Sequence, residues 1–359
     1  MKSKRKMNIE LLRILSMIMI VLHHYVAHGG LINIENININ KFIGEFLYIG
    51  GKLGVVIFVL ISGYFLENSK FKIKKLLKLF FEVLFYSIVI YSVLLLCNKV
   101  PFSIKTLIKA ILPISYNQYW FITCYIGVYV FSPFINKLIN NINQSQYKTL
   151  MVICLIFLVI LPMLTPQGGG FYNEFSYFIF LYLIAGYQKK YGFKFINENK
   201  KCILWIVCMI LVMMGVSVIS TYMSKYVTIF EKGILYLDKS NSLPTLILAL
   251  SIFGLFLKLD IKYNKIISIF GKTSFAVYLI HDNVNLRYSI WNEIFKTNEF
   301  VDKNIFILLL HIIGTVITIY VVASIIELIR MYFTEKIINK IKIQKIGNIL
   351  NKIDSKMNV

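Results

Sequence analysis

Cysteine is scarce in this 359-residue chain. Cys97, Cys124, Cys154, Cys202 and Cys208 lie scattered in or beside apolar segments, with no metal-ligand spacing. That excludes a disulfide framework and a cysteine metal centre, and leaves five small buried hydrophobes. Acidic residues are also few, 17 Asp and Glu against 39 Lys and Arg. In a soluble domain such an excess would point to nucleic acid. Here the basic residues cluster between apolar runs, no nucleic-acid-binding module is present, and no nucleic-acid partner is expected. No internal repeat is evident, so an inverted-repeat transporter architecture gains no support. No small-residue cleavage site follows the first apolar segment, which is therefore expected to be retained.

What the chain has in quantity is hydrocarbon: 58% hydrophobic residues and a mean hydropathy of +0.71. Runs long enough to cross a bilayer recur throughout. Ten are expected: Ile9–Ala27, Phe46–Leu66, Leu79–Cys97, Tyr119–Ile139, Thr149–Thr165, Phe171–Gln188, Cys202–Tyr222, Leu243–Leu257, Ile266–His281 and Ile305–Ile329. Each must be helical, because lipid offers no partner to a bare peptide group. The expectation is an all-α, polytopic helical bundle of about ten membrane helices, one domain over residues 1–333. An even count puts both termini on one side. With that side cytoplasmic, the inner segments hold 26 Lys and Arg and the outer segments 10, the bias expected of a multi-pass protein of the cell membrane. The tail, residues 334–359, has Ile and Leu at helical spacing between lysines. It reads equally as an amphipathic helix on the inner leaflet or as a solvated basic tail.

The first span, LLRILSMIMIVLHHYVAHGG from Leu11, carries charge where hydrocarbon would be cheaper. Arg13 and His24 are eleven residues apart, which brings them to within about 20° on one helical stripe and separates them by roughly 16 Å along the axis. His28 continues that stripe, and His23 points about 100° away. Glu10, three residues before Arg13, is placed to pair with it. Ionisable side chains within spans face the bundle interior and mark functional sites. Arg13 alone also fits a residue snorkelling to headgroups. His23 fits either a structural hydrogen bond or a supporting role, and His28 sits at the interface.

Several motifs then fall in order. Glu10, Leu12 and Arg13 form E-x-L-R, followed after ten residues by His24. FVLISGYFL spans Phe58–Leu66, KIKKLLKLF spans Lys72–Phe80, QYWFI contains Trp120, and GKTSFAVYLIH ends at His281. Together they resemble the acyltransferase family 3 integral membrane proteins, in the short form without an appended domain. The family's basic R-x-x-R signature is replaced here by Lys75 and Lys78. The resemblance implies transfer of an acyl group, usually acetyl, from cytoplasmic acyl-CoA to a hydroxyl of a surface polysaccharide or lipid-linked glycan. It implies that His24 and Arg13 are essential. No permanently bound cofactor is expected, and acyl-CoA acts as donor substrate.

The residues suit that chemistry. Neutral imidazole at His24 can take the alcohol proton. Arg13, Lys74, Lys75 and Lys78 are candidates for the CoA phosphates, although lysine holds phosphate only as a point charge and the three also fit an ordinary positive-inside loop. His23, Lys52, Trp120 and His281 fall on the side of His24 and are candidates for an external carbohydrate vestibule. Trp120 also fits an interfacial aromatic belt. His281 is placed so that it could pair with Asp282, His311 is expected to be a satisfied interhelical histidine, and Glu82 to form an ion pair with Arg13 or a lysine. No metal centre is expected. The gap of roughly 16 Å leaves open whether the pantetheine arm reaches in or an acyl-enzyme forms. The competing reading is a transporter or flippase for a glycan or lipid-linked sugar.

Overall fold

A computed structural model of the chain describes residues 6–67, 69–164, 171–227, 239–340 and 344–358. The elements are α1 (Met7–His28), α2 (Ile39–Leu66), α3 (Ile73–Leu96), the short α4 (Ile104–Ile111), α5 (Trp120–Asn141) and α6 (Gln144–Met163). There follow α7 (Glu174–Lys190), α8 (Asn199–Met223), α9 (Leu243–Lys258), α10 (Lys265–His281), α11 (Ile305–Lys340) and α12 (Gln344–Met357). No strand occurs among the described residues. All ten expected spans are helices; Thr165, the end of the fifth, lies outside the described residues.

Seven of the ten are long and apolar enough to cross a membrane unaided. The other three, α7, α9 and α10, have 17, 16 and 17 residues, or about 25 Å of helix. That falls short of a hydrocarbon core of about 30 Å. About half of the residues in each of the three are buried within the protein. The chain is thus a multi-pass helical membrane bundle.

Helix ends are set by caps rather than by the limits of the apolar runs. Asn38 accepts from the Lys41 N–H at 2.9 Å and starts α2 seven residues before its apolar stretch. Asn143 and Asn173 form reciprocal capping boxes at the starts of α6 and α7. In α6, Pro162 lacks an N–H, and the turn before it widens to π geometry over Ile156–Ile160. The start of α3 is held by the far end of the chain. Asp354 accepts from the Ile73 N–H and Asn358 from the Phe71 N–H, both at 2.7 Å, so the end of α12 is docked on protein.

The bundle is organised around α1, which packs against α2 and α10 and also touches α9 and α11. The closest approach is to α2, through Gly50, Gly51 and Gly54. Small residues let membrane helices pack backbone to backbone, where van der Waals contact is the main attraction. A methyl group on Gly54 would meet the Ser16 carbonyl and the Ile20 side chain, and one on Gly51 would meet the His23 ring. These glycines fix the depth of α1 against α2.

Gly54→Val is accordingly expected to destabilise the protein by about 1–3 kcal/mol, as overpacking does in other cores. Fluorescence-detected thermal unfolding in detergent measures this. An unchanged midpoint would contradict the packing described.

Candidate active site

His24, near the end of α1, meets His281, the last residue of α10. His24 Nδ1 lies 2.9 Å from His281 Nε2. His281 Nδ1 lies 2.6 Å from the carbonyl oxygen of Val277, one helical turn back. A carbonyl only accepts, so His281 Nδ1 carries the proton and donates it. In a neutral ring this leaves His281 Nε2 bare. His24 Nδ1 must then be the donor, and His24 Nε2 keeps a free lone pair. The carbonyl has two lone pairs, so Val277 serves both its helix and the ring. His281 is fully buried, whereas the His24 side chain is 15% exposed.

The surroundings of that free nitrogen are polar. Asp282, which caps the end of α10, places Oδ1 at 3.8 Å from His24 Nε2 and 4.0 Å from His28 Nε2. Both distances exceed a hydrogen bond. Arg287 reaches the same oxygen at 3.7 Å. The ligand atoms of His24, His28 and Asp282 all lie within 4.8 Å of one another. His23 points elsewhere, with Nδ1 2.6 Å from the Tyr48 carbonyl oxygen.

His24 and Arg13 open into the same cavity, of about 330 Å³. Since the two residues are roughly 16 Å apart along α1, the cavity runs along much of that helix. At the His24 end it is lined by His23, Lys52 and Trp120. The Lys52 ammonium sits 4.5 Å above the Trp120 ring and 3.5 Å from Glu174. At the other end Arg13 donates to Glu10 at 2.8 Å, the i,i+3 pair expected from the sequence. Lys272, from α10, and Tyr125, from α5, line the cavity as well.

Several expectations need correction. Lys74, Lys75 and Lys78 are exposed on α3 and do not line the cavity; the α3 residue that does is Leu79. Lys272, on α10, lines the cavity instead. Its signal was present, as a lysine within the apolar run of α10. His281 lies behind His24 rather than in an open vestibule, and its two nitrogens are engaged by His24 and Val277, so no His281–Asp282 pair forms. Glu82 pairs at 3.3 Å with Arg330, which also binds Glu327 at 2.7 Å, because α11 continues well past its apolar run. His311 is satisfied by the Tyr25 hydroxyl at 2.8 Å, as expected.

The family model described as an acyltransferase domain matches residues 8–327, from the first turn of α1 to the inner part of α11. No curated protein and no solved structure matches the chain significantly.

The relay predicts one tautomer for His24. Nitrogen-15 spectra of histidine-labelled protein in detergent should show Nδ1 protonated and Nε2 unprotonated, and His281→Ala should abolish that preference. A protonated Nε2 in the unmodified protein would refute the assignment.

Proposed function

The chain belongs to the acyltransferase family whose model covers it, and from that premise we propose a membrane O-acyltransferase in which His24 is the general base. The observation that carries the proposal is one cavity lined by both Arg13 and His24, together with a hydrogen bond that leaves His24 Nε2 unprotonated. An acyl donor with an anionic head and a long arm suits such a space. Acyl-CoA, usually acetyl-CoA, has that form.

In this reading the donor enters from the cytoplasm, the side that the Lys and Arg bias gives to Arg13 and to both termini in the cell membrane. Arg13 and Lys272 bind its phosphates at the mouth. Lys74, Lys75 and Lys78, exposed beside it, raise the local concentration of the anionic donor without gripping it. The acceptor, a hydroxyl of a surface polysaccharide or lipid-linked glycan, approaches from the opposite side past Lys52 and Trp120. His24 Nε2 takes the hydroxyl proton as the oxygen attacks the thioester carbonyl. The tetrahedral intermediate collapses, the C–S bond breaks, and the CoA thiolate leaves with the proton returned by His24. The product is an ester. His281 holds His24 in the tautomer that leaves Nε2 bare, and so acts as a positioning residue.

Direct transfer is favoured over an acyl-serine or acyl-cysteine intermediate. The hydroxyls lining the cavity from Ser62 and Ser274 are committed to the Phe58 and Gly271 carbonyls, at 2.9 and 3.0 Å. The cavity lining includes no cysteine.

His24→Ala is expected to lower kcat by about 10²- to 10⁴-fold, the range for loss of a general base, while the protein still reaches the membrane. Mass spectrometry of surface glycans, with CoA release as a second readout, measures it; full activity would reject His24 as base. Lys272→Ala is expected to raise the KM for acyl-CoA more than Lys75→Ala or Lys78→Ala does. Equal effects of the three would remove Lys272 from the donor mouth.

A further inference from the structure

His24 and His28 stand four residues apart on one face of α1, and Asp282 faces both from the end of α10. We propose that these three side chains bind a divalent first-row transition metal, Zn²⁺ in particular, and that the bound metal switches acyl transfer off. The second half of this proposal rests on His24 being the base; the first does not.

The donor set is two imidazoles and a carboxylate, which suits zinc rather than the oxygen-seeking calcium or magnesium. Two histidines at i and i+4 project from a helix toward one ion, as in zinc-binding helices generally. Zinc bonds of about 2.0–2.1 Å place tetrahedral ligand atoms about 3.3 Å apart. The Asp282 oxygen is 3.8 Å from His24 Nε2 and 4.0 Å from His28 Nε2. All three ligand atoms lie within 4.8 Å of one another, so side-chain rotations that draw them in by up to about 1.5 Å would close the site on an ion. His24 offers the correct nitrogen, since its Nδ1 proton is held by His281, and that in turn by the Val277 carbonyl. A ligating histidine whose other N–H is anchored in this way is the usual arrangement around a metal.

The site is built for reversible occupation. Three protein ligands leave a fourth position for water. His28 is partly exposed and provides an entry path. Arg287 lies 3.7 Å from the Asp282 oxygen and has to yield it to the metal. Zinc competes with that guanidinium and is not a permanent structural ion. When bound, it occupies the lone pair that would otherwise accept the hydroxyl proton.

The test uses the full-length protein, purified in detergent and stripped of metal. Calorimetric titration with Zn²⁺ and the visible absorption of Co²⁺ report binding and four-coordinate geometry. One metal per chain is expected, with affinity falling at least about 10-fold in His28→Ala and in Asp282→Asn. In the absence of metal, His28→Ala is expected to acylate at the parental rate. Added Zn²⁺ should inhibit the parent and spare His28→Ala. Absence of saturable binding, or binding unchanged in both variants, overturns the site. Binding at the site without inhibition overturns the switch. If His24→Ala proves active while the metal results hold, the base assignment fails and the site stands.

Discussion

The hydrogen bond between His24 and His281 joins α1 to α10, across 257 residues of sequence. In the low dielectric of a membrane interior, a bare imidazole nitrogen is costly to leave unpaired. Pairing the two rings removes that cost for three of their four nitrogens, and the Val277 carbonyl sets the direction of every donor in the chain. The fourth nitrogen, His24 Nε2, is left without a proton. A catalytic base and a metal ligand need the same thing, an available lone pair on an oriented ring. The relay supplies it at one atom, so the two uses exclude each other.

The remainder of the bundle leaves His24 at the wall of a cavity. Glycines on α2 let α1 approach closely, and His23 is turned aside onto the Tyr48 carbonyl. The space beside α1 stays open as a cavity instead of filling with side chains. Several charges within the bundle have ionic partners: Arg13 with Glu10, Lys52 with Glu174, and Glu82 and Glu327 with Arg330. Each pair lowers the cost of holding ions away from water. The Arg330 cluster lies at the contact between α3 and α11 and serves the fold. Arg13 and Lys52 line the cavity and remain available to an incoming substrate.

A further group of contacts ties the chain's end to its interior. Asp354 and Asn358 cap the backbone before α3, the segment that carries Lys74, Lys75 and Lys78. A helix start in a membrane protein needs its free N–H groups satisfied, and here the donors find their acceptors in α12. Lys74, Lys75 and Lys78 in that segment are exposed.

Read alone, the sequence settles the all-helical class and places ten apolar runs that the structure also shows as helices, because lipid permits no other backbone arrangement for runs of that length. It also places Arg13, Glu10 and His24 on one stripe, since helical periodicity is a local property. The Glu10–Arg13 pair, three residues apart, was readable for the same reason. Partnerships between distant segments were not. That His281 supports His24 from behind, that Asp282 faces His24 and His28, and that Glu82 meets Arg330 all depend on which helix packs against which. In a membrane that choice is made by close fit and by the few polar groups that must find partners, neither of which leaves a periodic trace. Lys272 stood in plain view within an apolar run, yet only the packed bundle shows that it lines the same cavity as Arg13. The same holds for the proton on His24. Its position follows from a carbonyl on another helix, through a contact that exists only once the chain has folded.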